Sequence, residues 1–356
     1  MQLFDATNLA PSLRDRGWIG PDEPVAVREL TGGVSNVVLY VARSASPGGD
    51  FVVKQSRPQL RVAETWLCTV ERIWREVDAL RYCGELTEIC RPDEREGECV
   101  ATPRVLFESR ADYLYGMTAA PPGSHTWKEE LLSGAAEPEV ARAMGEWLGR
   151  LHAKTWKSAD VAARFGDRQL FDELRLDPYY RQLGRRFPEW RPRLEDLVDQ
   201  VWAHPLALVH ADYSPKNLLV WPDGLMLVDF ETAHYGDPAF DLGFLLAHLA
   251  LKTAWARQRQ LDYRPLVDAF WNAYLMQMRP AVCNAELESL SARAALNFAG
   301  CTWARLDGKS MVEYLPHEPT RAAIRALCQE LLAEPAGDWG EAWERVGRAI
   351  GVARSL

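Results

Sequence analysis

The chain has 356 residues, of which 47% are hydrophobic and 26% are charged, and its formal net charge is −9. A chain of this length can bury two cores, and its composition is that of soluble globular proteins. The excess of acidic residues would repel a phosphate backbone, so we expect no nucleic-acid partner. The longest apolar stretch, residues 240–251, is interrupted by Asp241 and His248 and is too short to span a bilayer, so we expect no membrane partner.

The N-terminus and the cysteines indicate the compartment. Residues 1–8 lack a basic start followed by an apolar core, so we expect no signal peptide. The seven cysteines show no CxxC spacing, which predicts neither a zinc site nor a disulfide framework. Both features favour a reducing cytoplasm. The sequence leaves the oligomeric state open.

Three strands are predicted near the start of the chain: residues 25–30 alternate between apolar and polar, and apolar runs follow at 37–42 and 51–55. The turn between the first two contains glycines followed by small polar residues, among them Gly32, Gly33, Ser35 and Asn36. Such a hairpin can close its backbone over phosphates, although the same residues also suit a plain turn.

Lys54 lies near the end of the third predicted strand. A lysine there is normally solvent-facing, but after a glycine hairpin it could reach the α- and β-phosphates of ATP. That role requires a carboxylate partner on the next helix, which helical spacing predicts over residues 65–81. Glu71 and Glu76 both flank the apolar stripe of this helix. We favour Glu76, with Glu71 as the alternative.

A break in the pattern predicts two lobes. Two more strands are predicted at 104–108 and 113–117, and small residues followed by Pro-Pro-Gly then form a semi-rigid connector. The predicted parts are an N-terminal lobe at 1–117, a hinge at 118–123 and a C-terminal lobe at 124–356. A connector between lobes can offer backbone groups to an adenine edge. Beyond it, Thr126 and Glu129 fit a capping box that opens a helical region.

The most informative segment follows the apolar strand at 207–209. It places Asp212 just after that strand, Asn217 five positions later, and Asp229 after a further turn and apolar run. This is the His-x-Asp-x4-Asn…Asp arrangement of kinase catalytic loops. Phosphoryl transfer needs a carboxylate that accepts the proton of the attacking hydroxyl, together with oxygen ligands for Mg²⁺. The pattern predicts Asp212 as the base and Asn217 and Asp229 as metal ligands; the alternative is a strand-end turn with Asp229 as a helix cap.

A helix is predicted to begin at Asp237-Pro238, with the aspartate as cap and the proline in the first turn. Asp241 lies on this largely apolar helix. Because a buried carboxylate needs partners, we expect Asp241 to bond the catalytic loop and hold its shape.

These motifs, from residues 32–36 to residues 237–243, resemble the aminoglycoside phosphotransferase family, which also includes kinases of choline, homoserine and methylthioribose. The resemblance is densest between residues 210 and 243. It implies an α+β, bilobal protein-kinase-like fold, with an N-terminal antiparallel sheet carrying one helix and a larger, mostly helical C-terminal lobe. It also implies ATP and Mg²⁺ as cofactors and a small molecule with a hydroxyl group as acceptor.

The resemblance also implies roles for individual residues. Lys54 would bind the α- and β-phosphates and Glu76 would orient it, while Ser35 and Asn36 would belong to the phosphate loop. Thr118 and Ala120 would contact adenine through their backbones. Asp212 would be the base, with Asn217 and Asp229 on the metal. The chain departs from the family pattern at Ala211, where many members have glycine, and from protein kinases at Glu231, which replaces a glycine.

The predicted activity is transfer of the γ-phosphate of ATP to a hydroxyl of an amino sugar, an amino alcohol or a sugar-like metabolite. A protein kinase is disfavoured because Pro238 comes nine positions after Asp229, which leaves no room for an activation segment. A catalytically inactive nucleotide-binding protein of kinase-like fold is the other alternative. It is disfavoured because the lysine, the base and both metal ligands are all present.

Overall fold

A computed structural model describes residues 1–30, 36–43, 49–57, 69–87 and 100–351. These residues divide into two compact units. The first unit consists of the described residues within Met1–Glu94, Ala101–Ser124 and Met226–Glu231. The second unit consists of the described residues within Arg95–Val100, His125–Leu225 and Thr232–Leu356. The first unit therefore includes a short segment from late in the chain, which contains Asp229. The hinge at 118–123 stays a prediction.

The strands, in chain order, are β1 (Val25–Glu29), β2 (Asn36–Arg43), β3 (Phe51–Ser56), β4 (Val100–Ala101), β5 (Val105–Ser109), β6 (Leu114–Thr118), β7 (His125–Thr126), β8 (Ala207–Val209), β9 (Leu218–Trp221), β10 (Gly224–Leu227) and β11 (His234–Gly236). The helices are α1 (Leu9–Asp15), α2 (Arg72–Thr87), α3 (Trp127–Ser133), α4 (Pro138–Thr155), α5 (Ala159–Phe165), α6 (Gln169–Phe171), α7 (Gln182–Arg186), α8 (Arg191–Ala203), α9 (Pro238–Arg257), α10 (Arg264–Met278), α11 (Asn284–Asp307), α12 (Glu318–Ala333) and α13 (Trp339–Ala349). A π-helical segment, Asp172–Arg181, joins α6 to α7.

The first unit contains a five-stranded sheet with the order β1-β2-β3-β6-β5, and every pair in it is antiparallel. Each of its strands lies within one or two residues of its predicted position. Alternate residues of β2, Val37, Leu39 and Val41, are buried together with Leu9 and Leu13 of α1. The N-terminal segment thus covers one face of the sheet.

The helix after β3 begins later than predicted. Among the described residues, 70 and 71 form a turn and α2 starts at Arg72. The hydroxyl of Thr69 donates to the Glu71 carboxylate, and the Arg72 guanidinium donates to the Thr69 carbonyl at 2.7 Å. Such local side-chain bonds compete with helical backbone bonds, which explains the late start. The predicted residues 65–68 lie outside the described part of the chain.

The second unit is mostly helical, with α4 packed against α10 and α9 against α11. At Gly243 of α9 a Cβ atom would lie 2.5 Å from the backbone nitrogen of Phe298, so only glycine permits this close packing. The predicted capping box at Thr126 and Glu129 is confirmed, as is the Asp237 cap of α9.

Two short antiparallel strand pairs, β8 with β11 and β7 with β9, complete the second unit. Within the described ranges, no helix combines the length and hydropathy needed to cross a bilayer. The predicted α+β class, with an antiparallel N-terminal sheet and a larger helical C-terminal part, is confirmed.

Candidate active site

In the first unit, Lys54 lies between two carboxylates. All six residues of β3 are buried, and Lys54 is only 5% exposed. Its ammonium Nζ lies 2.9 Å from Glu76 Oε1, 2.8 Å from Glu76 Oε2 and 2.7 Å from Asp229 Oδ1. A buried lysine needs such partners, because an isolated charge is strongly disfavoured in a protein interior.

The two carboxylates determine the charge of this lysine. Burial alone would lower the pKa of Lys54, but the negative charges of Asp229 and Glu76 outweigh it and raise that pKa well above its usual value. Burial also raises the pKa of the Glu76 carboxyl, against the opposing effect of the Lys54 ammonium. Lys54 therefore carries a positive charge at neutral pH, as a phosphate-binding lysine must.

The structure distinguishes between the two glutamates that the sequence left open. Glu76 contacts Lys54 and also accepts a hydrogen bond from the Phe230 backbone N–H at 3.3 Å. Glu71 instead accepts hydrogen bonds from Thr69 and, at 3.2 Å, from the Tyr113 hydroxyl. The pairing of Lys54 with Glu76 is confirmed as a contact, while its role in nucleotide binding stays a prediction.

The sequence predicted that Asn36 lies in a turn, but in the structure it is the first residue of β2. Its amide donates to Glu231 Oε2 at 2.9 Å, and its carbonyl oxygen accepts from Arg72 Nη2 at 3.2 Å. Glu231, where protein kinases have glycine, thus has a structural partner in the sheet. The other expected phosphate-loop residues, Gly32, Gly33 and Ser35, lie outside the described part of the chain.

The residues expected to meet adenine lie at the end of β6. Thr118 closes the strand, and its N–H donates to the Arg104 carbonyl at 3.0 Å. That N–H is therefore used within the unit, so a contact from Thr118 to adenine would have to use its carbonyl. Ala120 follows two residues later, and its contact with adenine also stays a prediction.

In the second unit, a buried carboxylate fixes the loop after β8. The backbone N–H groups of His210 and Ala211 both donate to Asp241, at 2.7 Å each. Asp241 is fully buried on α9, and His152 Nε2 lies 3.4 Å from it. Consecutive N–H groups aimed at one carboxylate form an anion nest. The prediction that Asp241 bonds the loop is confirmed.

The nest requires an unusual backbone conformation at Ala211, whose φ is +60°. This left-handed region is unfavourable for a residue with a Cβ atom and natural for glycine. It explains why glycine suits this position between the histidine and the aspartate.

We expect Ala211→Gly to raise the free energy of unfolding by about 0.5–1 kcal/mol. The left-handed conformation costs alanine about 1–2 kcal/mol, and the greater freedom of unfolded glycine offsets roughly 0.5–1 kcal/mol of the gain. Urea unfolding measures the difference. Ala141→Gly, in the interior of α4, is the matched control and should destabilise by about 1 kcal/mol. Equal losses in both variants would show that Ala211 is not strained.

Asp212 follows directly and is 3% exposed. Its Oδ2 accepts a hydrogen bond from Asn217 Nδ2 at 2.8 Å, so the structure brings the predicted base and one predicted metal ligand together. Lys216 Nζ lies 2.8 Å and Arg175 Nη2 lies 3.0 Å from the same oxygen. Two cations therefore flank this carboxylate, and neither contact was predicted from the sequence.

Arg175 also donates from Nε to the Ala211 carbonyl at 2.7 Å, so it secures both the loop backbone and the side chain that the loop presents. It comes from the π-helical segment, in which sequence periodicity gives no signal. Lys216 could have been suspected, since it lies inside the motif between Asp212 and Asn217.

The chemistry of the donors suits a hard divalent cation. In the second unit Asn217 directs its Nδ2 to Asp212, and in the first unit Asp229 has one carboxylate oxygen on Lys54. Carboxylate and amide oxygens are ligand types that hard divalent cations bind. In the part of the chain that the structure describes, no three His, Cys, Asp or Glu side chains form a metal cluster. Mg²⁺ is commonly held by only one or two carboxylates together with substrate phosphates.

Residues 26–282 match the model of the phosphotransferase enzyme family. Among curated relatives, methylthioribose kinase 1 of Oryza sativa subsp. japonica is 25% identical over 260 residues, which is 65% of this chain and 57% of the relative. The chain thus spans little more than half the length of that relative. Methylthioribose kinase of Exiguobacterium sibiricum is 24% identical over 349 residues, covering 85% of this chain and 84% of the relative.

Among solved structures, an amicoumacin kinase in complex with AMP-PNP, Ca²⁺ and Ami superimposes with a TM-score of 0.54. The sequence identity is 16%, and the match covers 93% of this chain and 95% of that chain. This likeness shows the fold and confirms the predicted protein-kinase-like class.

Proposed function

This chain belongs to the phosphotransferase enzyme family, and we propose that it transfers the γ-phosphate of ATP to a hydroxyl group of a small molecule. The membership confirms the resemblance seen in the sequence. The proposal rests chiefly on the loop anchored by Asp241, which presents the buried Asp212 carboxylate beside Asn217. A rigidly placed carboxylate is what a hydroxyl nucleophile needs as proton acceptor.

The first unit supplies the residues for the nucleotide. Lys54, charged and oriented by Glu76, would bind the α- and β-phosphates of ATP. Gly32, Gly33 and Ser35 would cover the phosphates. The backbones of Thr118 and Ala120 would meet the adenine.

Asn217 and Asp229 would hold the divalent cation, for which we propose Mg²⁺. The cation would neutralise charge on the β- and γ-phosphates. Asn217 already has its amide nitrogen fixed by Asp212, and Asp229 has one oxygen fixed by Lys54. Each ligand is thus oriented by a neighbouring side chain, which limits the rearrangement needed for binding.

For the acceptor, the predicted classes are amino sugars, amino alcohols and sugar-like metabolites. The similarity to methylthioribose kinases supports the sugar-like class. Asp212 would accept the proton of the acceptor hydroxyl as that oxygen attacks the γ-phosphorus. The bond from the γ-phosphorus to the bridging oxygen breaks, and ADP leaves.

The test is ATP turnover by the purified chain with a panel of sugars, sugar acids, amino sugars and amino alcohols. We expect ADP release that requires both an acceptor and Mg²⁺, stops with EDTA, and accompanies a phosphorylated product seen by mass spectrometry. ATP binding without transfer to any acceptor would favour the inactive nucleotide-binding alternative. Transfer to peptides alone would favour a protein kinase.

A further inference from the structure

One face of α9 connects the candidate base with a buried cationic region. Phe244, His248 and Lys252 are spaced four residues apart, so they share this face. The rings of Phe244 and His248 lie 5.1 Å apart, and the Arg175 guanidinium carbon lies 5.9 Å from the centroid of the Phe244 ring. Because Arg175 also contacts Asp212 at 3.0 Å, the face begins beside the candidate base.

The face ends at Lys252, which is 1% exposed. Its Nζ lies 5.1 Å from the centroid of the Tyr314 ring. Among the residues that the structure describes, no carboxylate lies within ion-pair distance of Lys252. A buried ammonium without a counter-ion is strongly disfavoured, so such a lysine loses its proton more easily unless an anion lies beside it.

The surroundings of Lys252 offer further donors that lack acceptors. In the described part of the chain, the Tyr314 hydroxyl and Arg305 Nε are buried without a hydrogen-bond partner. Tyr314 contacts Lys252 through its ring, and Arg305 lies near enough for its charge to act on Lys252. Buried polar atoms normally have partners, so these two donors offer hydrogen bonds that a ligand can accept.

The charges that act on this region are positive. Burial is the main cause that lowers the pKa of Lys252 to about 7, and the positive charges of Arg305 and Lys128 also lower it. Burial and then the charges of Lys252, Arg305 and Lys216 lower the pKa of His248 well below its usual value. Since Lys216 also contacts Asp212 at 2.8 Å, positive charge continues from the candidate base to Lys252.

We propose that His248, Lys252, Arg305 and Tyr314 form a subsite for an anionic group, a carboxylate or a phosphate, of the acceptor molecule. The anion supplies the counter-charge that Lys252 lacks and accepts hydrogen bonds from Arg305 Nε and the Tyr314 hydroxyl. This inference rests on the proposed function, because it places the hydroxyl of the same molecule at Asp212.

The consequence is a narrower substrate class. An amino sugar or amino alcohol would bring a further cation to a region that already contains Arg175, Lys216 and Lys252. An acidic sugar derivative, such as an aldonic acid or a sugar phosphate, would instead complement these charges. The subsite thus favours sugar-like acceptors that carry an acid.

The experiment compares pairs of molecules that differ in the anion: sorbitol with gluconate, and ribose with ribose 5-phosphate. Calorimetry measures their binding to the full chain with Mg²⁺ and a non-hydrolysable ATP analogue. We expect the anionic member of at least one pair to bind about 10-fold or more tightly than its neutral counterpart, the range for hydrogen bonds to charged groups. The pair that responds distinguishes a carboxylate from a phosphate.

Lys252→Met removes the charge and keeps the apolar stem, and we expect it to abolish the preference for the anion. It should also raise the Tm, because it removes an uncompensated buried charge; a lysine in a structural ion pair would show a loss instead. Lys154→Met, at an exposed lysine of α4, is the matched control and should change neither property. Tyr314→Phe removes only a hydroxyl and should weaken anion binding several-fold. This variant still tests the subsite if Lys252→Met fails to fold.

The inference is wrong if neutral molecules bind as well as their anionic partners, or if Lys252→Met binds the anions as wild type does. ATP-dependent transfer to neutral acceptors alone would reject the subsite and leave the proposed function standing. Anion binding that depends on Lys252, without transfer to any acceptor, would support the subsite and reject the kinase activity.

Discussion

Asp212→Asn should lower kcat by about 10²–10⁴-fold, the usual effect of losing a general base. The amide has nearly the shape of the carboxylate, but it cannot accept the proton of an attacking hydroxyl. Asp241 anchors the loop through the N–H groups of His210 and Ala211, so the backbone should keep its conformation in the variant. The loss should therefore appear in kcat.

The measurement is steady-state phosphoryl transfer to the best acceptor, together with the Kd for ATP. Asp212→Asn leaves Lys54 and both of its carboxylate partners unchanged, so we expect ATP binding to persist. Asp223→Asn makes the same chemical change in an exposed turn and should behave as wild type. Near-normal turnover by Asp212→Asn would show that another group accepts the proton.

Asp229→Asn should lower turnover by about 10²-fold or more, because a metal ion that stabilises charge in the transition state contributes several kcal/mol. Asparagine retains one oxygen but loses the negative charge that draws a divalent cation. The substitution also removes the charge 2.7 Å from Lys54 Nζ, although Glu76 remains to hold the lysine. The variant should thus fold and still bind nucleotide weakly.

Turnover measured across a range of Mg²⁺ concentrations tests this expectation, and the variant should require more Mg²⁺ or fail to saturate. Glu71→Gln is the matched control, since it also turns an acid into an amide but lies at a glutamate that contacts Thr69 and Tyr113. It should leave the Mg²⁺ dependence unchanged. An unaltered Mg²⁺ dependence in Asp229→Asn would exclude Asp229 as a ligand.

Local patterns predicted much of the fold. The strands of the first sheet followed from short apolar runs, which are buried mainly on alternate residues in β2 and at every residue in β3. The Asp237 cap and the capping box at Thr126 followed from residues whose side chains bond helix N–H groups. The bond between Asp241 and the loop after β8 followed from the rule that a buried carboxylate needs hydrogen-bond donors. Each of these inferences uses only neighbours along the chain or a requirement of burial.

Contacts between distant segments could not be predicted in this way. Glu71 and Glu76 flank the same helical stripe, and only the three-dimensional packing brings Glu76 to Lys54. Arg175 meets Asp212 from a π-helical segment, whose wider turn matches neither of the two periods used to recognise elements. Lys252 directly follows the apolar stretch at 240–251, and only the packing of α9, which continues to Arg257, shows that this lysine is buried.

The roles assigned to the site residues in binding ATP, metal and acceptor stay predictions. The structure does establish which side chains touch: Lys54 with Glu76 and Asp229, and Asp212 with Asn217, Lys216 and Arg175. It also shows why Asn36 was misplaced. The strand pairing of β2 with β3 extends to Asn36 opposite Ser56, so the strand includes a residue that its polar side chain had assigned to the turn.

The two N–H groups after β8 find their acceptor 30 and 31 positions further along the chain, at Asp241. During translation, the ribosome therefore releases the segment with Asp212 well before the carboxylate that shapes it. Until α9 has packed, these two N–H groups lack their native acceptor, and the contact that holds Ala211 in its left-handed conformation is absent. The loop that presents Asp212 therefore takes its native conformation only after Asp241 has been synthesised and α9 has packed against the loop.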